Sequence, residues 1–188
     1  MKYEVRVANF ILMVIGLVIS LVELMQVRIN RNVEEKTRAF FKAMFSVLSV
    51  YVLCLLTREM SYDMQGYGWV LLSRIVFFGQ ALLSSLLTVI LTAFLLYKNG
   101  EEKWWESGFF KASCGLWSVY VMLLIYNLFF GSIYLVDMDN SYHRGPLFPV
   151  LMAPTVLIAC LNLYVVRKKK KTLSDKERNA FIVYLGTL

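Results

Sequence analysis

Polar side chains recur at intervals of four residues inside one of the most apolar parts of the chain. Gln80, Ser84, Thr88 and Thr92 follow one another at this spacing, with Ser85 beside them. Residues four apart share one slowly drifting face of a helix. In a membrane, such a stripe packs helices together through close approach and interhelical hydrogen bonds, or it lines a ligand pocket. We therefore take Gln80, Ser84 and Thr88 as candidate ligand-binding residues, with packing as the alternative role.

Two amides lie within later apolar segments, at Asn127 and Asn162. An amide in hydrocarbon needs a hydrogen-bond partner, so both side chains are expected to face the bundle. Structural hydrogen bonding is the simpler role for both. Asn127 is also a candidate for binding a ligand.

A polar junction, residues 139–145, separates the last two apolar segments. Its sequence is Asp-Asn-Ser-Tyr-His-Arg-Gly, and Tyr142 and Arg144 are candidate ligand contacts where the helices open to water. Arg144 could instead anchor the chain to lipid headgroups.

All three prolines fall between Pro146 and Pro154. Pro146 and Pro149 suit the start of a helix, where a missing amide hydrogen costs little. Pro154 lies deeper, removes one helical hydrogen bond and is expected to kink the helix. Pro154 is therefore a hinge candidate, although the kink could equally serve only to shape the helix.

Motifs for catalysis and metal binding are absent from the sequence. It has no glycine-rich phosphate loop, no GxSxG motif and no paired carboxylates at helical spacing within its apolar segments. The single histidine and the lack of CxxC or HxxxH spacing argue against a metal site. Cys54, Cys114 and Cys160 lie in apolar segments, so no disulfide framework is implied. We predict no enzyme activity in this chain, no catalytic residue, no metal and no cofactor.

The elements that must position these residues are long apolar helices. Of the 188 residues 59% are hydrophobic and 18% charged, with a mean hydropathy of +0.59. A helix needs about 20 apolar residues to cross a bilayer, and the apolar runs lack the two-residue alternation of a membrane barrel. The sequence predicts an all-α, polytopic transmembrane helix bundle. Its five spans are placed at about 8–26, 39–56, 75–97, 112–136 and 147–166.

Positive charge is distributed unevenly between the connecting segments. If the amino terminus lies outside, the outer segments carry five of the 20 Lys and Arg residues and the inner segments carry 15. The positive-inside rule then places the N-terminus outside and the C-terminal basic segment inside a cell (cytoplasmic) membrane. The net charge of +7 is explained by this asymmetry, and we predict no nucleic-acid partner.

The end of the sequence predicts a partial helix at 174–188. Ser174 and Glu177 form a capping box, and nine residues from Ala180 to Leu188 follow it, most of them apolar. Nine helical residues rise only about 14 Å, too little to span a bilayer. We expect a single transmembrane helical domain over 1–188, truncated at the start of a sixth span. The alternative is a short helix lying on the inner surface.

The stretch from Phe129 to Pro149 reads FFGSIYLVDMDNSYHRGPLFP, and the basic run Arg167–Lys171 leads into Leu173–Arg178. This pattern resembles the multi-span N-terminal membrane sensor module of bacterial GGDEF diguanylate cyclases and sensor histidine kinases. The resemblance is recognisable over residues 129–188 and otherwise extends to topology alone. It implies further spans and a cytoplasmic output domain beyond this fragment.

The leading functional hypothesis is a membrane-embedded sensory domain for signal transduction. An external or membrane signal would shift helix packing and so reach a diguanylate cyclase or histidine kinase domain. The alternative is a small transporter or permease subunit, which would need polar binding groups near the bilayer midplane. The expected partners are the lipid bilayer, a small ligand and possible second copies in a homodimer.

Overall fold

A computed structural model describes residues 2–30, 34–62 and 64–168 of the chain. The partial helix expected at 174–188, and most of the basic run before it, lie outside these described residues.

Five helices account for nearly all of the described chain. They are α1 (Lys2–Ile29), α2 (Glu35–Ser61), α3 (Tyr67–Lys98), α4 (Gly108–Phe130) and α5 (Phe148–Lys168). Each is long and apolar enough to cross a membrane. The all-α fold class is confirmed, and these helices indicate a multi-pass membrane protein.

Helix α3 is the centre of the bundle. It packs against α2, α4 and α5, and α4 packs against α5. Helix α1 packs mainly on α2 and leaves many large apolar side chains exposed, including Ile11, Leu12 and Ile19. Exposed apolar side chains of this kind suit a lipid environment. A helix also satisfies its own backbone hydrogen bonds, which hydrocarbon cannot do.

The bundle has two distinct ends. At one end, which we call the tryptophan end, a short 3-10 turn (Trp104–Glu106) joins α3 to α4. A buried cluster that includes Leu95, Leu96 and Val166 packs there against a group of aromatic rings. At the opposite end, the hairpin end, a two-stranded antiparallel hairpin joins α4 to α5.

The hairpin consists of β1 (Tyr134–Val136) and β2 (Tyr142–Arg144), with Leu135 paired to His143. The five residues between the strands form a tight loop, in which the Asp137 carbonyl accepts a hydrogen bond from the Asn140 amide at 3.0 Å. Asn140 has a φ of 63°, a left-handed conformation that asparagine tolerates better than most residues. The second buried cluster, which includes Tyr120, Leu124 and Ile133, lies beneath the hairpin.

The fourth helix ends six residues earlier than the span predicted at 112–136. Gly131 adopts a left-handed conformation (φ 60°), and its amide donates to the Asn127 carbonyl at 2.9 Å. A left-handed glycine is a common way for a helix to stop. The apolar residues Tyr134–Val136 therefore form a strand over the bundle end instead of a last helical turn. The other four helices include the spans predicted at 8–26, 39–56, 75–97 and 147–166, apart from Leu147, and α1 to α3 extend beyond them at both ends.

Candidate ligand-binding site

A cavity of about 750 Å³ lies at the hairpin end of the bundle. Its walls come from the last turn of α2, the first half of α3, the middle of α4, the hairpin and the first turns of α5. The lining residues are Arg58, Glu59, Tyr62, Ser73, Phe77, Gln80, Ala81, Ser84, Tyr120, Tyr134, Asn140, Ser141, Tyr142, His143, Arg144, Phe148, Leu151 and Met152. Small-molecule sites usually have volumes of about 300–1,000 Å³, so this cavity is of suitable size for a small ligand.

Aromatic rings form a large part of the wall. Phe77 of α3 stacks on Tyr142 of β2, with ring centroids 4.6 Å apart and planes 17° apart. Tyr134 of β1 packs on both rings, with centroid distances of 6.3 Å to Phe77 and 6.0 Å to Tyr142. These contacts attach the hairpin to α3 and give the cavity a flat apolar surface.

Two arginines line the same cavity, each held against an aromatic ring. The Arg58 guanidinium lies 5.4 Å from the Phe77 ring centroid, and its Nη1 donates to Gln80 Oε1 at 3.1 Å. The Arg144 guanidinium lies 4.6 Å from the Phe148 ring centroid. Within 2–30, 34–62 and 64–168, no carboxylate forms an ion pair with either arginine. Both keep hydrogen-bond donors for another partner, because a guanidinium carries five.

The acidic groups around the cavity are already engaged. Glu59 Oε1 accepts from Arg6 Nε at 3.3 Å, which ties α1 to α2 at the hairpin end. Asp137 Oδ2 lies 3.1 Å from His143 Nε2. Hydrogen bonds from the Ser141 hydroxyl and amide hold the pKa of the Asp139 carboxyl below its usual range. In the described part of the chain, none of these three acids pairs with Arg58 or Arg144.

Two buried polar atoms on lining residues have no hydrogen-bond partner, Tyr134 Oη and Asn140 Oδ1. Tyr134 and Asn140 are each only 7% exposed. The Asn140 amide nitrogen is satisfied, since it donates to the carbonyls of Ser61 (2.5 Å) and Met64 (3.3 Å). Burial raises the pKa of the Tyr134 phenol. Both partnerless atoms are inaccessible to a water molecule, so a ligand in the cavity does not reach them in this arrangement.

Four of the six candidate ligand contacts named from the sequence line this cavity: Gln80, Ser84, Tyr142 and Arg144. The structure thus brings together a polar helix face and a distant loop, which sequence spacing could not relate. Their role in binding remains a prediction.

Thr88 and Asn127 lie outside the cavity, each for a different reason. The Thr88 carbonyl accepts from Asn162 Nδ2 at 3.2 Å, and Asn162 Oδ1 accepts from the Thr92 hydroxyl at 2.7 Å. One half of the predicted polar stripe therefore joins α3 to α5. Asn127 is buried below the hairpin, where its Oδ1 accepts from the Ile133 amide at 2.8 Å.

Pro154 is buried within α5, and the helix continues on both sides of it. Its role as a hinge stays a prediction.

The sequence analysis missed much of the wall, most clearly Arg58, Phe77, Tyr120 and Asn140. The signal for Arg58 was available, because it lies near the end of a span beside a polar loop. Asn140 gave a weaker signal, since an asparagine in a short Asp/Asn turn often adopts a left-handed conformation. The aromatic wall residues gave no signal, because aromatic residues occur throughout the apolar helices.

The arrangement suits reversible binding of a small molecule. Among the lining residues, the Ser141 hydroxyl lies 2.9 Å from His143 Nε2 and donates to Asp139 Oδ1 at 2.8 Å. The described ranges hold no group of three or more metal-ligating side chains. Comparison of the chain with protein-family models, curated proteins and solved structures gives no match.

Proposed function

We propose that this chain is a membrane sensory domain in which the cavity at the hairpin end receives an external signal. The observation that carries the proposal is the cavity itself, because four helices and the hairpin share its wall. A ligand there would contact elements that are far apart in sequence, and it would favour whichever helix arrangement binds it best. The proposal includes the orientation that charge asymmetry favours, with the hairpin end outside.

The cavity extends through only part of the bundle, which favours a receptor over a transporter. Along α3 its lining runs from Ser73 to Ser84. Beyond Ser84, Thr88 and Thr92 are buried and hydrogen-bonded to Asn162 of α5. A transporter subunit remains the second candidate, since Asn162 and Pro154 place a polar contact and a missing backbone hydrogen bond in the same helix.

Helices α3 and α5 offer a route from the cavity to the tryptophan end. Both line the cavity, both share the Thr92–Asn162 contact, and both contribute to the buried cluster of Leu95, Leu96 and Val166. The hairpin leads directly into α5, so a ligand that moves the hairpin would displace the start of that helix. We propose that such a shift is passed to a cytoplasmic output domain of the diguanylate cyclase or histidine kinase type.

Filling the cavity tests the proposed function. Ser84→Trp would place a large ring in the cavity, whereas Val119→Trp would add the same ring to an exposed position on α4. In the protein encoded by the natural gene, we expect Ser84→Trp to change output activity at unchanged membrane abundance. Cyclic-di-GMP synthesis or autophosphorylation in isolated membranes would be the readout.

The matched variant Val119→Trp should leave output at the wild-type level. Equal output from both variants at equal abundance would rule out the cavity as the signal input. Uptake of a labelled solute that depends on an unfilled cavity would favour the transporter instead. Sequencing the gene beyond codon 188 would independently test for further spans and an output domain.

A further inference from the structure

The charge and hydrogen-bonding groups of the cavity specify a class of ligand. The Arg58 and Arg144 guanidinium groups lie 5.4 and 4.6 Å from the ring centroids of Phe77 and Phe148, and each keeps N–H donors for another acceptor. A planar guanidinium matches a carboxylate, because two parallel N–H···O bonds can form at once. Within the described ranges Glu59 contacts Arg6, Asp137 contacts His143, and no carboxylate pairs with Arg58 or Arg144, so both can receive an anionic ligand.

The apolar wall describes the rest of the ligand. Phe77 and Tyr142 present stacked rings beside Arg58 and Arg144, so an anion with an apolar or aromatic body would fit better than inorganic phosphate.

We propose that the cavity binds a small organic carboxylate that has an apolar or aromatic body. The arginines would hold the carboxylate, and the rings of Phe77 and Tyr142 would contact the body. This inference deepens the proposed function and rests on it for the claim that binding is a signal.

Paired ligands would measure the preference for a carboxylate. The chain would be placed in phosphatidylcholine nanodiscs and titrated with hydroxy-substituted aryl and alkyl carboxylates such as 4-hydroxyphenylacetate, each beside its neutral amide. Saturation-transfer NMR and the shift in thermal midpoint would report binding. We expect carboxylates to bind at least about tenfold more tightly than their amides.

Substitutions would then assign the site. Arg58→Gln and Arg144→Gln should each raise Kd for 4-hydroxyphenylacetate by about tenfold or more. Arg58→Lys keeps the charge but loses the planar guanidinium that can form two parallel hydrogen bonds. It should weaken binding less than Arg58→Gln does. Lys103→Gln removes the same charge from the tryptophan end, where the exposed Lys103 lies beside Glu106, and should leave Kd unchanged. Thermal midpoints without ligand would confirm that the variants are folded.

Three results would overturn the inference: no preference for carboxylates over amides across the set, retained affinity in both glutamine variants, or displacement of the carboxylate when phosphatidylglycerol is added. The last result would assign the arginines to lipid headgroups. Carboxylate binding without any effect on output would refute the sensory role and leave the ligand class intact. An output response to Ser84→Trp without carboxylate binding would refute the ligand class and leave the sensory role intact.

Discussion

At the scale of single residues, Asn127 shows how one side chain organises the hairpin end. Its Oδ1 accepts from the amides of Ile133 (2.8 Å) and Tyr134 (3.1 Å), and its Nδ2 donates to the Tyr134 carbonyl at 3.0 Å. The sequence predicted that this amide faces the bundle, and the structure confirms it. The sequence could not predict the partner, because a buried amide in an apolar segment is equally compatible with helix, loop or ligand contacts.

Replacing Asn127 with Ala should destabilise the fold. Three hydrogen bonds to buried backbone groups would be lost, and an unsatisfied buried group costs about 1–3 kcal/mol. We therefore expect a drop of about 2 kcal/mol or more in the free energy of unfolding, measured by denaturant titration in nanodiscs. Ser118→Ala, which removes an exposed hydroxyl bond to the Cys114 carbonyl, should have little effect. Equal stability of the two variants would contradict the assigned role of Asn127.

At the scale of elements, the helices were predictable and the hairpin was not. Four apolar runs predict their helices because length and hydropathy suffice to define a span. The fourth span was predicted to continue to Val136, because Ile133–Val136 is as apolar as the helix before it. A left-handed glycine and the Asn127 hydrogen bonds decide where α4 stops; both are local contacts within seven residues, which length and hydropathy do not register. Strands of three residues are too short for their alternation to be recognised.

Gly145, directly after β2, lies close against the segment that joins α4 to β1. A Cβ at this position would lie 2.1 Å from the Ser132 carbonyl oxygen, which is backbone and cannot move aside cheaply. The Gly145 amide also donates to the Ile133 carbonyl at 2.8 Å. We expect Gly145→Ala to separate the two segments and lower the thermal midpoint by several degrees.

Gly115→Ala provides the matched control, because nothing lies within 4 Å of a Cβ at that exposed helical position. It should be neutral or slightly stabilising, since alanine favours a helix more than glycine does by about 1 kcal/mol. Gly145→Ala should also weaken ligand binding, because the hairpin forms part of the cavity wall. An unchanged thermal midpoint in Gly145→Ala would contradict the short distance between Gly145 and the Ser132 carbonyl oxygen.

At the scale of the whole molecule, the two ends of the bundle differ in packing and in the cavities that they border. The tryptophan end has a buried cluster of apolar and aromatic side chains beside a smaller cavity of about 400 Å³, whereas the hairpin end borders the larger cavity that two guanidinium groups line. The sequence predicted the bundle, and it named four residues that line the cavity. It could not predict the cavity itself, because the wall joins residues of α2, α3 and the hairpin that are up to 86 positions apart, from Arg58 to Arg144. Only the packing of the helices brings them together.

One measurement tests the central claim, that this cavity faces outside and is the signal input. The natural-gene protein would carry Ser84→Cys, with Cys54, Cys114 and Cys160 replaced by Ala. A membrane-impermeant thiol reagent would be added to intact cells while output activity is followed. The account predicts that the cysteine at position 84 reacts from outside and that output shifts as labelling proceeds, whereas a cysteine in place of the exposed Asp139 reacts without a shift. Reaction at position 84 only after permeabilisation, or complete labelling there with unchanged output, would contradict it.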